Sequence, residues 1–273
     1  MAANNAVDIV YTSPTQVGQS LYVGTASACD EGAYRGRVVR VDVGARPAVA
    51  GTWFVNGPAG ALGGGVWSFG GISAEPDGSA LYAATGNALG KPENAGLSER
   101  VVRLSPDLRP QASDYPGLTG RDVDFGATPV PFRAKGCPKA ELAAMNKTGA
   151  LFVYDRNAIA GGPLQRIQMA NVHRASVGEF IGSPAYDPAR GLLFVANPTP
   201  SSDPAQPYKR GLVALKPLKG CGLGLAWQHV ARPPGVPGEN SSIPPVVANG
   251  VVYYVQPLAS SLAAPDEASG RTL

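Results

Sequence analysis

Charged side chains are scarce in this chain of 273 residues: Asp, Glu, Lys and Arg together make up 16%, with a net charge of +3. The basic residues are scattered, so the clustered positive footprint of a nucleic-acid-binding surface is missing. Histidine occurs only at His173 and His229, neither with a partner at ligand spacing, which argues against a His-based metal centre. No apolar run approaches the roughly 18 residues that a membrane-spanning helix requires. A GxSxG elbow is absent, and no nucleophile is tied by spacing to either histidine, so hydrolase chemistry has little support. Gly63-Gly64-Gly65 lacks the Lys-Ser/Thr that would turn a glycine loop into a phosphate cradle. The first residues, MAANNAVDIV, lack the basic and long apolar parts of a signal peptide. If the protein is exported, its leader has been removed or lies outside this sequence.

Cysteine is also sparse. Cys29, Cys137 and Cys221 form no CxxC and no Cys/His zinc spacing. Cys137 stands in Gly-Cys-Pro and Cys221 in Gly-Cys-Gly, both loop contexts. A Cys137–Cys221 disulfide with Cys29 free and three unpaired thiols both remain open, because spacing does not decide pairing.

Turn formers are abundant instead. Gly (35) and Pro (26) exceed a fifth of the chain, yet apolar runs interrupt them at regular distances, which indicates turn-dense β structure rather than disorder. The clearest stretch runs from Gly63 to Asn87: a glycine-rich approach to Trp67, a turn at Glu75-Pro76-Asp77-Gly78, a β-rich run Leu81-Tyr82-Ala83-Ala84, and Asn87 past the strand end. Asp77-Gly78 supplies the positive-φ position of a tight turn. The same sub-pattern recurs at Leu21–Thr25, Leu193–Asn197 and Val251–Val255, with a further unit at Leu142–Met145 and Ala150–Tyr154 around the turn Asn146-Lys147-Thr148-Gly149. Second strands follow at Val38–Asp42, Val101–Ser105 and Leu212–Leu215, and finally within Leu262 to Leu273. Pro138 to Met145 reads as a turn or two of helix in competition with a strand.

About five units of roughly 45 to 60 residues, each with several short strands, predict an all-β chain. The predicted fold is a β-propeller of four-stranded antiparallel blades, one domain over residues 1–273. A β-sandwich would not repeat one sub-pattern five times. Either the five units close on themselves or they are part of a larger propeller with exposed blade edges, through which oligomers would form.

Four motifs in order resemble the PQQ (pyrroloquinoline quinone) dehydrogenase superfamily, the quinoprotein alcohol dehydrogenases with PQQ-like propeller repeats. CDEGAYRGRVVRVDV resembles the segment whose Glu binds calcium, which falls on Glu31. GGGVWSFGGISAEP followed by LYAATGN resembles the segment with a Trp that stacks on the quinone and an Asn that binds calcium. These fall on Trp67, with Phe69 as the alternative stacking residue, and on Asn87. DVDFGATPV resembles the segment carrying the catalytic base and calcium-site Asp, which falls on Asp124. MNKTGALFVYDR resembles the segment whose basic residue contacts the quinone oxygens, which falls on Lys147.

The resemblance implies a periplasmic or extracellular oxidoreductase that uses PQQ and calcium on a small-molecule alcohol or sugar. Calcium takes hard oxygen ligands such as those of Glu31, Asn87 and Asp124. Asp124 would accept the alcohol proton and Lys147 would balance charge on the reduced quinone. Each residue also has a plain structural reading. Asp124 can cap a turn, Glu31 can be a solvated loop acid, Asn87 and Lys147 can be turn residues, and Trp67 can be blade packing. On that reading the chain is a non-catalytic scaffold presenting loops to a protein or polysaccharide partner.

Overall fold

A computed structural model describes residues 7–120, 122–171, 182–231, 243–256 and 261–273. His173 and the side chain of Cys29 lie outside what it describes. The described residues form twenty strands and two short 3-10 turns, Ala28–Asp30 and Ile159–Gly161. The chain divides into two compact units, one of Met1–Pro129 with Ala158–Gly162 and one of Val130–Asn157 with Pro163–Leu273.

The first unit holds two antiparallel sheets. One is five-stranded: β3 (Ser20–Ala26), β4 (Arg37–Asp42) and β5 (Ala48–Phe54) follow as a meander, and β1 (Ile9–Val10) and β2 (Thr15–Val17) both pair β3. The other is the four-stranded meander β6 (Ser73–Ala74), β7 (Leu81–Ala84), β8 (Val101–Leu104) and β9 (Pro110–Asp114). The β6–β7 turn forms as its residues dictate. Gly78 takes φ 72° and donates to Glu75 O at 2.9 Å, while Asp77 Oδ1 accepts the Ser79 N–H at 2.9 Å. Every residue of β7 is buried, the mark of a strand covered on both faces. Leu81 and Ala83 point to one side of it, where they meet Tyr22, Val38 and Trp53 of the neighbouring sheet and Val102 and Leu104 of their own in a single apolar cluster.

The second unit repeats the plan in three sheets. The first two are four-stranded: β10 (Val130–Phe132) to β13 (Gln165–Gln168), and β14 (Ala185–Asp187) to β17 (Leu223–Val230). The third is three-stranded, β18 (Val246–Ala248), β19 (Val251–Gln256) and β20 (Ser261–Ala263). Phe194, Leu212 and Ala214 of the second sheet join Val252, Tyr254 and Ala263 of the third in one core. Consecutive sheets thus pack face on face within each unit, the blade architecture of a β-propeller.

Two expectations change in detail. The Pro138–Met145 segment is a strand, β11 (Glu141–Met145), in register with β12 (Ala150–Asp155) from Glu141↔Asp155 to Met145↔Leu151. After β20 the chain does not continue as a long strand to Leu273. Pro265 removes a ladder donor, and Asp266 Oδ1 captures the Ser269 N–H at 2.8 Å and its hydroxyl at 2.6 Å, turning the chain back. Of the two cysteine readings, the structure contains the disulfide: Cys137 and Cys221, both in the second unit, are bonded with their Cα atoms 4.9 Å apart.

Candidate functional site

Three of the residues singled out in the first unit, Trp67, Asn87 and Asp124, converge where β7 ends. Thr85, Gly86 and Asn87 leave that strand between two backbones. The Gly86 N–H donates to Gly65 O at 2.7 Å, and Gly86 O accepts the Glu99 N–H at 3.0 Å. Glycine is required at position 86, because a Cβ there would lie 2.5 Å from Asp124 Oδ1 and 2.6 Å from Trp67 Nε1. Asp124 and the Trp67 indole therefore both crowd the position a Cβ would take at residue 86.

Asp124 is fully buried. Its Oδ1 accepts the Asn87 backbone N–H at 2.6 Å, and the Phe125 N–H holds the chain to Thr85 O at 3.3 Å. Carboxylate oxygens of Asp30, Asp122 and Asp124 lie within 4.8 Å of one another. The Asn87 side chain reaches the same place. With its amide nitrogen turned inward it donates to Asp30 Oδ2 at 3.2 Å and to Asp124 Oδ1 at 2.5 Å. With its oxygen turned inward, the arrangement is a ring of oxygens that only a cation between them makes favourable.

Backbone geometry is unusual around this cluster. Asp30, Glu99 and Asp122 adopt φ of 57°, 54° and 56°. Non-glycine residues held in that region cost free energy and gather at functional sites. Asp30 ends the 3-10 turn, and its Oδ1 accepts the hydroxyl of the buried Tyr34. Burial raises the Tyr34 pKa first, with the Asp30 and Asp124 charges adding to it, so this hydroxyl stays protonated as a donor. The Asp122 N–H donates to Glu93 Oε2 at 3.3 Å. Glu99 is 2% exposed, and desolvation first, then the charges of Asp124, Glu93 and Asp122, push its pKa up to about 7.

Trp67 is half-buried, with the Tyr11 ring edge-on at 5.0 Å and 77° and the Tyr34 ring at 6.4 Å and 72°. Its Nε1 is buried without a hydrogen-bond partner. Phe69 is exposed and tilted against Tyr11 at 5.2 Å. The structure thus brings Trp67, Asn87 and Asp124 together. Glu31 is exposed, and its neighbour Asp30 occupies the cluster. Lys147 belongs to the second unit, in the β11–β12 turn where Asn146 Oδ1 accepts the Thr148 N–H at 2.9 Å and Gly149 has φ 75°.

Three acids had not been singled out from the sequence: Asp30, Asp122 and Glu99. The first two stand beside chosen positions, in Asp30-Glu31 and in Asp122-Val123-Asp124, so the paired acids were the available signal. Nothing in Ser98-Glu99-Arg100 announces a buried carboxyl.

No protein-family model matches the chain, and no curated protein does. Solved structures do. The quinohemoprotein alcohol dehydrogenase of Comamonas testosteroni superposes with a TM-score of 0.63 at 15% identity, over 96% of this chain and 51% of that one. The quinohemoprotein alcohol dehydrogenase ADHIIG of Pseudomonas putida gives 0.68 at 15%, over 99% and 52%. The chain has the propeller fold of these dehydrogenases. A europium-containing methanol dehydrogenase shares it, with a TM-score of 0.62 at 15% identity over 97% of this chain and 60% of that one. This chain therefore spans about half the length of the enzymes it resembles.

Proposed function

We propose that the first unit carries the cation-binding part of a quinoprotein alcohol dehydrogenase site. The observation that carries this reading is the convergence of Asp30, Asp122 and Asp124, with oxygens within 4.8 Å of one another, on Asn87. Calcium–oxygen bonds of about 2.3–2.6 Å put ligands on opposite sides of an ion near 5 Å apart, so the donor set fits a hard cation. Asp30, Asp122, Asp124 and Asn87 would hold it, with Asp30 in the place expected of Glu31.

PQQ, when bound, supplies the hydride acceptor for oxidation of the alcohol carbon. Trp67 offers the flat apolar surface beside the acids, and its unpartnered Nε1 is a spare donor. Asp124 takes the proton of the alcohol hydroxyl, leaving an aldehyde or ketone as the hydride departs. A cation held by Asp30, Asp122, Asp124 and Asn87 would supply Lewis-acid polarisation of the reacting oxygens.

The substrate class is a small alcohol or sugar. A disulfide that bonds Cys137 to Cys221 supports an oxidising, periplasmic or extracellular compartment. No helix among the described residues is long and apolar enough to cross a membrane.

The test is titration with PQQ, with and without calcium, followed by calorimetry and absorbance. Calcium-dependent stoichiometric binding, lost in Asp124→Asn together with dye-linked alcohol oxidation, is the expected result. Absence of binding at tens of micromolar removes the enzyme reading. One observation favours the scaffold alternative: Val246, Tyr253 and Leu262, on one face of the β18–β20 sheet, are 59%, 37% and 64% exposed. Such a face suits a protein partner or self-association.

A further inference from the structure

The sequence places no partner for His229 at ligand spacing; the fold gives it two. Its Nδ1 lies 2.7 Å from the hydroxyl of Tyr254, 25 residues on in β19, and its Nε2 lies 3.0 Å from Thr272 Oγ1, 43 residues on. Tyr254 is buried, and its ring stands edge-on to the imidazole at 5.7 Å and 77°. Burial lowers the His229 pKa, so the ring is neutral at pH 7 and accepts one of these hydrogen bonds while donating the other. The imidazole opens on a cavity of about 520 Å³ lined by Gln228, His229, Val230, Gln256, Gly270 and Thr272, all in the second unit. That volume is in the range of small-molecule sites.

None of these six side chains is charged, so an ion entering the cavity would shed hydration without meeting an opposite charge. The lining is nonetheless polar, and two of its groups are held in place with hydrogen-bonding capacity to spare. Gln228 Nε2 donates to Pro207 O at 3.0 Å and its Oε1 accepts the Lys209 N–H at 2.9 Å. These bonds fix the amide and leave one N–H and one lone pair uncommitted among the described residues. Thr272 is anchored by its β-bridge to Pro265, and its hydroxyl, joined to His229, can both donate and accept. Uncharged donors and acceptors set side by side complement adjacent hydroxyl groups, each of which also donates and accepts.

We propose that this cavity binds a neutral polyhydroxylated ligand, a monosaccharide or polyol, through Gln228, His229 and Thr272. Val230, 44% exposed, offers an apolar surface to the C–H groups of such a ligand. Because the polar side chains are already held by the protein, little ordering entropy is lost on binding. The site shares no residue with Asp30, Asp122, Asp124 and Asn87, so it stands independently of the cation reading of the first unit.

The experiment uses the full chain, with D-glucose and sorbitol as neutral probes and D-glucuronate as the charged one. The chain has two histidines, so long-range ¹H–¹⁵N NMR reads the His229 ring directly, with His229→Gln assigning its signals. A neutral probe should shift the His229 signals saturably, and glucuronate should bind at least tenfold more weakly. Thr272→Val should lower the affinity about fivefold, the loss of one neutral hydrogen bond, and Thr272→Ser should restore it. Gln228→Met, of similar length, should also weaken binding, and circular dichroism establishes that each variant is folded. The His229 shift should persist in Asp124→Asn, which separates this site from the acidic cluster. No saturable shift with either neutral probe at tens of millimolar, equal affinity for glucuronate, or unchanged affinity in Thr272→Val overturns the proposal. Loss of the shift in Asp124→Asn, with Thr272→Val unaffected, assigns the binding to the first unit and overturns it equally.

Discussion

Removing the Cys137–Cys221 bond should destabilise the second unit by about 4 to 5 kcal/mol. The perturbation is Cys137→Ala with Cys221→Ala, which avoids burying hydroxyls where the two cysteines are 8% and 6% exposed. The bond closes 84 residues, and in the chain-entropy model a loop of that length is worth about 4.6 kcal/mol at 25 °C. Cys221 sits in the turn between β16 (Gly211–Pro217) and β17, closed by the Leu218 N–H to Gly222 O at 2.7 Å. Cys137 precedes β11. The cross-link therefore joins two successive sheets whose other ties include Gln165, hydrogen-bonded to Leu223 N and O at 2.7 and 2.9 Å. Urea unfolding is the assay. With a slope of roughly 2–3 kcal/mol per molar, the midpoint should fall by about 1.5–2 M. A fall below about 0.5 M would refute the entropic account. Thiol titration of the denatured, unreduced protein should reveal Cys29 alone, and three reactive thiols would refute the bond itself.

Glu99 in the first unit and Glu267 in the second have folded pKa values raised to about 7, in both cases chiefly by burial. Their contribution to stability is fully present below the ordinary carboxyl value and lost as pH rises through about 7. Urea midpoints should therefore decline from pH 5 to pH 8, with Glu267→Gln reducing the decline, and a flat profile would contradict the assignment. Gly86→Ala drives a methyl group against Asp124 and Trp67, and should cost about 1–3 kcal/mol and at least tenfold in calcium affinity by calorimetry. Tyr34→Phe removes the hydroxyl that Asp30 accepts, so calcium affinity should fall severalfold, in line with about 1 kcal/mol for such a bond, and an unchanged affinity would release Asp30 from the site.

The blades were legible because their signals are local. Leu21-Tyr22-Val23, Leu81-Tyr82-Ala83 and Val251-Val252-Tyr253 are short, apolar and bounded by turn residues, and all three became strands. The candidate site was legible in part, since Trp67, Asn87 and Asp124 come together as their motifs suggest. At Asp30-Glu31 two acids compete, and the choice is made by handedness. Asp30 takes a left-handed conformation that turns its carboxylate toward Tyr34, while Glu31 returns to an extended backbone and faces solvent. Nothing local in Ser98-Glu99-Arg100 signals that Glu99 is buried. Its N–H is tied to Gly86 O, thirteen residues earlier, a pairing that no local pattern encodes. Lys147 lies in the Asn-Lys-Thr-Gly turn of the second unit, where Asn146 Oδ1 accepts the Thr148 N–H and hydroxyl.

The short segment Ala158–Gly162 belongs to the first unit although the second unit flanks it in sequence on both sides. It brings the buried Ile159 to strand β9 and its neighbour β8. The chain thus passes between the units three times, and no single cleavage can liberate either of them whole. A fragment ending at Pro129 would expose the surface that Ile159 covers, so genetic dissection of the acidic site needs residues 158–162 supplied in trans or grafted through a linker.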